Sequence, residues 1–354
     1  MPIPIKHIGF CKKNSSRPTL HFPRERPTSC ANVRAGGAGN SRMKQFFLLA
    51  ITLLISKVSS ATSAVNYNER LKEALPGFEM PSQWLQTHPA FRVIGNLYGV
   101  GGVDLASYLI TSDDGHILIN TGIEGSLKDI EENIATLGFD IADVKILLSM
   151  QSHFDHTADL AIIREITGAK MYATKKDARV LEDGGLSDPH FGGLETFRPV
   201  TVDKIVEDGE IIELGEIRLK VYYHPGHTEG SSSYGMQVVE NGKTYNVLIS
   251  NMGTINPGKK LLVDPTYPGI SEDFAHTYRS QKQIGADIWV AAHKSQYGFY
   301  FKYKATQPYS PETFFDPKGF LAAVEKLEVA YTRQLEQESA ELDGKNKLPN
   351  RREN

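Results

Sequence analysis

The chain has 354 residues, 40% of them hydrophobic and 23% charged, with a formal net charge of −3. That composition is globular and argues against a basic nucleic-acid-binding surface or an acidic disordered chain. Both cysteines, Cys11 and Cys30, lie within residues 1–42, so beyond them no disulfide can form and no thiolate can bind a metal.

Residues 1–42 are rich in Pro, Ser and Gly and carry Lys12, Lys13, Arg17, Arg24, Arg26 and Arg34 against a single acid, Glu25. The segment is expected to be a disordered, non-native upstream extension. The character changes at Met43. Lys44 precedes an apolar run over 46–55, too short to span a bilayer, and the small residues Ser59-Ser60-Ala61 and Thr62-Ser63-Ala64 follow. This pattern predicts a signal peptide over 43–64. Residues 65–354 are then one domain, exported to the periplasm or beyond, with no membrane segment in the mature form.

Residues 65–90 read as a polar lead-in punctuated by Pro76, Pro81 and Pro89. Strand patterns follow at 92–100, 104–111 and 116–119, each bounded by Gly or Asp. Leu127, Ile130, Ile134 and Leu137 share one face of a predicted helix over 125–137. The apolar run 144–150 suits a buried strand and breaks directly into Gln151-Ser152-His153-Phe154-Asp155-His156. A helix is expected over 157–166, alternating strand and helix to about 183, and a strand-rich half over 209–250. Helices return over 272–284 and 317–340, around a short strand at Ile288–Ala291 that ends at His293. The charged tail from 345 is expected to fray. Strand-rich halves on both sides of a helical middle predict two sheets flanked by helices.

His153, Asp155 and His156 crowd one loop at the C-terminal end of a buried strand, where α/β folds place their chemistry. His227 and His293 fall at two further strand ends. Imidazole and carboxylate are the ligands zinc takes where thiolate is absent. His224, three positions before His227, reads as a packing or supporting residue.

The H-x-D-H loop, His224-Pro225-Gly226-His227-Thr228 and the final strand-end His293 resemble the metallo-β-lactamase superfamily over roughly residues 91–325. The stretches 104–110 (DLASYLI), 117–122 (ILINTG) and 250–253 (SNMG) are also similar. The absence of a cysteine ligand resembles the third subclass of the class B β-lactamases, and Gln151 in place of the first histidine resembles its GOB-type branch. The resemblance implies a four-layer αββα sandwich with one or two zinc ions between the sheets. His153, His227 and Gln151 map to the first zinc; Asp155, His156 and His293 map to the second. It further implies hydrolysis of the β-lactam amide by a metal-bound hydroxide, with Asp155 catalytic through its hold on the water, and so antibiotic resistance. The partner is then a small-molecule β-lactam and not a nucleic acid.

Several positions depart from the family pattern. Gln151 offers an amide oxygen, a weaker donor than imidazole, so the second site is expected to fill first. Asn120 stands where Asp is common. It is read either as a companion to Gln151 or as a turn cap. Met252 stands where relatives carry a bridging carboxylate or a serine, with Thr254 or Lys294 available to meet a substrate carboxylate. Lys294 otherwise snorkels to solvent. The rival readings are a lactonase or thioesterase on the same scaffold, and a secreted zinc-binding protein whose first site has decayed.

Overall fold

A computed structural model describes residues 65–347. The expected extension over 1–42 and signal peptide over 43–64 lie outside the described residues, as do 348–354. Among the described residues no helix is long and apolar enough to cross a membrane.

Among the described residues twelve strands form two sheets. The first runs in chain order: β1 (Phe91–Ile94), β2 (Leu97–Gly99), β3 (Tyr108–Ser112), β4 (Gly115–Ile119), β5 (Val144–Leu148), β6 (Lys170–Ala173) and β7 (Lys204–Ile205). Its first four strands pair antiparallel, and β4 to β7 pair parallel. The second sheet has the order β12-β11-β10-β9-β8, from β8 (Ile211–Leu214), β9 (Ile217–Tyr223), β10 (Ser232–Glu240), β11 (Lys243–Ser250) and β12 (Ile288–Ala291). Only the β11–β12 pair is parallel there.

Alternation along the strands builds the layers. Ile117 and Ile119 of β4, with Ile146 and Leu148 of β5, join Leu219, Val221, Tyr234 and Ile249 of the second sheet in one core. Leu118 and Leu147 face the other way. They pack with Ile130 and Ile134 of the helix Leu127–Thr136, Ile163 of the helix Leu160–Thr167, and Leu181 of the helix Lys175–Glu182. On the far side of the second sheet, Phe274 and Tyr278 of the helix Ile270–Gln283, and Phe320 and Val324 of the helix Pro317–Lys347, complete the fourth layer. The observed architecture is the expected αββα sandwich.

Ile249 is fully buried between the two sheets, on a strand paired on both sides. Ile249→Ala removes its side-chain carbons and leaves a cavity that neighbours on rigid strands cannot close, so unfolding free energy is expected to fall by about 2–5 kcal/mol. Urea denaturation measures this, and a loss below about 1 kcal/mol would contradict the inter-sheet core.

Some local expectations need correction. The lead-in 65–90 holds a helix, Tyr67–Ala74, capped by the Asn66 side chain on Glu69 N, and a 3₁₀ turn, Ser82–Leu85. The strand expected over 92–100 is a tight hairpin, because Gly95 at φ +55 turns the chain between β1 and β2. The helix expected over 157–166 is two pieces, Phe154–Thr157 and Leu160–Thr167, and the last helix continues past 340 to Lys347.

Candidate metal centre

The ligand loop begins where β5 ends. His153 precedes the single turn Phe154–Thr157, which swings Asp155 and His156 to one side. The Asp155 carboxylate lies 3.1 Å from His156 Nε2 and 3.5 Å from His293 Nε2. Asp155, His156 and His293 form a group whose donor atoms all lie within 4.8 Å of one another. His293 arrives from the end of β12, so the two sheets each supply part of the group.

The tautomers follow from the other ring nitrogens. His293 Nδ1 donates to Asp104 Oδ2 at 3.0 Å, and Asp104 Oδ1 accepts from Ser295 N at 2.9 Å. Burial opposes a charged His293, yet the hydrogen bonds to Asp104 and then Asp155 raise it to about 9. Two carboxylates facing one ring call for a positive charge at Nε2, which either a proton or a metal ion supplies. Asn120 Oδ1 accepts from Met150 N at 2.9 Å, so its NH₂ faces His156 Nδ1 at 3.3 Å. His156 then carries its proton on Nε2, beside Asp155, and a metal there would displace it.

His227 and His153 form a second cluster, their ring centroids 4.9 Å apart. Gly226, at φ +122, makes the turn that delivers His227; a Cβ there would meet the Phe274 ring at 2.7 Å. His227 Nδ1 donates to the Thr254 carbonyl at 2.8 Å, with the Thr254 hydroxyl at 2.9 Å, leaving Nε2 as a free donor atom. His153 Nε2 is buried, has no hydrogen-bond partner, and lies 3.4 Å from Asp188 Oδ2. The Gln151 side-chain oxygen accepts from His153 N at 3.1 Å.

The donor set tests whether zinc fits. A carboxylate and two imidazoles converge without thiolate, which is the chemistry zinc takes. His156 Nε2 and His153 Nε2 are buried without hydrogen-bond partners. The residues present fit the ion.

The remaining candidates sit elsewhere. His224 is buried, with Nδ1 at 2.6 Å from Ser233 Oγ and Nε2 at 3.2 Å from Ser280 Oγ, so neither nitrogen is free for a metal. Met252 packs in the inter-sheet core. Asn120, at φ +62 just past β4, contacts His156 Nδ1 and accepts from Met150 N, so it ties the end of β4 to the start of the ligand loop. Thr254 orients His227 through its carbonyl and its hydroxyl. Lys294 reaches neither solvent nor the metal cluster. It is 1% exposed, and its Nζ sits 5.0 and 4.9 Å from the ring centroids of Phe91 and Phe299. Burial lowers it to about 7, against the pull of Asp104.

Three acidic residues of this region have no role in the sequence reading. Asp104 orients His293 and accepts from Trp84 Nε1 at 3.3 Å. Asp188 faces His153. Asp177 accepts from Ser152 Oγ at 3.0 Å, Thr228 Oγ1 at 3.1 Å and Gly230 N at 3.1 Å, binding the His153 loop to the His227 loop. The signal in sequence is faint: Asp104 opens the DLASYLI stretch, and Asp188 lies between 183 and 209 where no pattern marks an element. Trp84, Phe154 and Phe191 wall the cluster, with Trp84 5.7 Å from the His293 ring and Phe191 4.8 Å from the His153 ring.

Residues 100–238 match the family model described as the metallo-beta-lactamase superfamily. The chain is similar to the crystal structure of the metallo-beta-lactamase GOB-18 from Elizabethkingia meningoseptica, at 43% identity and a TM-score of 0.71, covering 73% of this chain and 97% of that one. It is similar at 42% identity and a TM-score of 0.71 to LRA-12, a class B3 di-zinc metallo-beta-lactamase from an Alaskan soil metagenome, covering 73% and 98%. Among curated relatives it is 32% identical over 138 residues, 38% of this chain, to a probable metallo-hydrolase of Bacillus subtilis, and 29% identical over 130 residues, 35% of this chain, to a hydroxyacylglutathione hydrolase of Maricaulis maris. These two matches span 62% and 44% of the relatives' own lengths.

Proposed function

The chain belongs to the metallo-beta-lactamase superfamily, and from that premise we propose that it is an exported zinc hydrolase that opens the β-lactam amide bond and so confers antibiotic resistance. The observation that carries the reading is the convergence of Asp155, His156 and His293 with all donor atoms within 4.8 Å. These three residues would hold one ion. His153 and His227, with Gln151, would hold a more weakly bound second. Bound zinc supplies an acidified water, with a pKa of about 7, and polarisation of the substrate carbonyl.

The chain's own residues do the positioning. Asp104 and Thr254 fix the rings of His293 and His227 in the tautomer whose Nε2 faces the cleft. Asp155 would hold the ion with His156 and His293 and offer a carboxylate oxygen to a proton of the water beside it. Trp84, Phe154 and Phe191 offer an apolar wall that excludes bulk water from the reacting amide.

A second reading, a thioester or lactone hydrolase, has support in the likeness to the Maricaulis maris hydroxyacylglutathione hydrolase. Against it, Asn251, Met252 and Gly253 offer no carboxylate where such relatives bridge two metals, and Met252 is turned into the core. The discriminating assay is hydrolysis of a chromogenic cephalosporin with and without a chelator. Fast ring opening that the chelator stops, and that added zinc restores, is expected. No ring opening in zinc-loaded protein that cleaves a thioester or lactone would favour the second reading, and no activity on any of them would favour a binding protein.

A further inference from the structure

Asp177 is 4% exposed and stands in the first turn of the helix Lys175–Glu182. An acid at that position ordinarily serves its own helix, by capping free N–H groups or by meeting the helix dipole. Here Thr174 does the capping, its hydroxyl accepting from Asp177 N at 3.4 Å. The Asp177 carboxylate bonds to other segments instead. Its Oδ1 accepts from Ser152 Oγ at 3.0 Å and Gly230 N at 3.1 Å, and its Oδ2 accepts from Thr228 Oγ1 at 3.1 Å.

Both side-chain partners are chain neighbours of metal-site residues. Ser152 lies between Gln151 and His153, and Thr228 follows His227. The helix is thereby a third body to which the two loops are fastened. The approach is close: a Cβ on Gly230 would fall 2.4 Å from Asp177 N and 2.8 Å from Asp177 Cγ, and Thr174 Oγ1 donates to the Gly230 carbonyl at 2.7 Å. The other cluster has anchors of its own. Thr121 N donates to the His156 carbonyl at 2.8 Å, Asn120 meets the His156 ring, and Asp104 meets the His293 ring.

Burial pushes Asp177 up to about 7, against the hydrogen bonds from Thr228 and Ser152. Near neutral pH the side chain is therefore a neutral acid about as readily as an anion. An amide of the same shape can make the same three bonds. Its oxygen keeps Ser152 and Gly230, and its NH₂ donates to Thr228 Oγ1, whose own proton turns to Ser231 Oγ at 2.8 Å.

We propose that Asp177 is the positioning residue of the His153–His227 metal site, holding the two ligand loops in register by hydrogen bonds and not by charge. The assignment rests on the reading that His153, His227 and Gln151 hold the weaker ion. The test dialyses the zinc-loaded full chain against a series of zinc buffers and reads metal per chain, which gives a dissociation constant for each site.

Asp177→Leu keeps much of the shape and removes all three bonds. It is expected to weaken the His153–His227 site by about tenfold or more and to leave the stronger site within about threefold, on the scale of losing a group behind a metal ligand. Asp177→Asn should hold the weaker site within about threefold of wild type, because the ties persist. Ser152→Ala combined with Thr228→Val cuts the same ties from the loop side while Asp177 stays. It should reproduce the loss, so a poorly folding Asp177→Leu does not shield the assignment. Unchanged affinity at the weaker site in either of these tie-breaking variants overturns it. Equal loss at both sites also overturns it, and makes Asp177 a group of general stability. A loss in Asp177→Asn as deep as in Asp177→Leu overturns the hydrogen-bond role in favour of charge. Wild type that takes up one ion only defeats the metal reading and the assignment with it, whereas two ions in wild type leave the variants to decide the assignment alone.

Discussion

Asp155→Ala is expected to reduce turnover of a chromogenic cephalosporin by about a hundredfold or more at saturating zinc, the scale of losing a preorganised polar group at a reacting centre. The carboxylate is the one anionic member of the group it forms with His156 and His293, and it lies within 3.1–3.5 Å of both rings. Its removal takes away a charged metal ligand and the acceptor that aims the water. It also leaves His156 Nε2 and His293 Nε2 without their facing acid. The fold should survive, because Asp155 sits on a single-turn helix outside both sheets. The check is kcat/KM beside zinc content per chain and the thermal midpoint. A folded variant that keeps more than about a tenth of wild-type turnover would show that the chemistry lies elsewhere in the cleft. Loss of turnover with full zinc content would mean that the carboxylate acts on the water more than on the metal.

Much of this centre is legible in sequence because its geometry is local. Apolar continuity over 144–150 marks a strand buried on both faces, and the abrupt change at Gln151 marks its end. The short strand Ile288–Ala291 stands where expected, with His293 just beyond it. What cannot be read are contacts made through space. Asp104 supports His293 across 189 positions of chain, and Asp177 joins loops 25 and 51 residues away. Polar contacts of that kind leave no periodic trace. Lys294 misleads for a different reason. His293 caps the 3₁₀ turn Lys294–Tyr297, so the chain changes direction directly after the histidine and carries the lysine among Phe91 and Phe299. The irregular loop 259–263 is held by Glu338 and Gln334 on a helix some 75 residues later. The helix Tyr67–Ala74 escapes notice because its one buried residue is Leu71, too few apolar positions to show a period.

Gln151→His is expected to tighten zinc binding at the first site by about 10- to 100-fold, the range that changes around a metal commonly produce. In wild type the two sites are unequal. Asp155, His156 and His293 bring a negative charge and two imidazoles to one point. His153 and His227 bring two neutral imidazoles and the amide of Gln151, whose oxygen is engaged with His153 N at 3.1 Å. Charge and donor strength both favour the first of these sets, so at limiting zinc one ion should occupy Asp155, His156 and His293. A histidine at 151 adds a stronger donor to the other set and frees His153 N from the side chain. Turnover need not rise with occupancy, since Asn120 and the surrounding loops are matched to the amide. Calorimetric titration of zinc into both metal-free proteins separates the two binding events. Equal affinity at the weaker site in both forms would mean that the site already has a full third donor. His224 cannot be that donor, because Ser233 and Ser280 occupy its two nitrogens. Asp188, 3.4 Å from His153 Nε2, is then the group to replace next. A fall in zinc affinity in Asp188→Asn would assign that carboxylate to the weaker site, and unchanged affinity would exclude it.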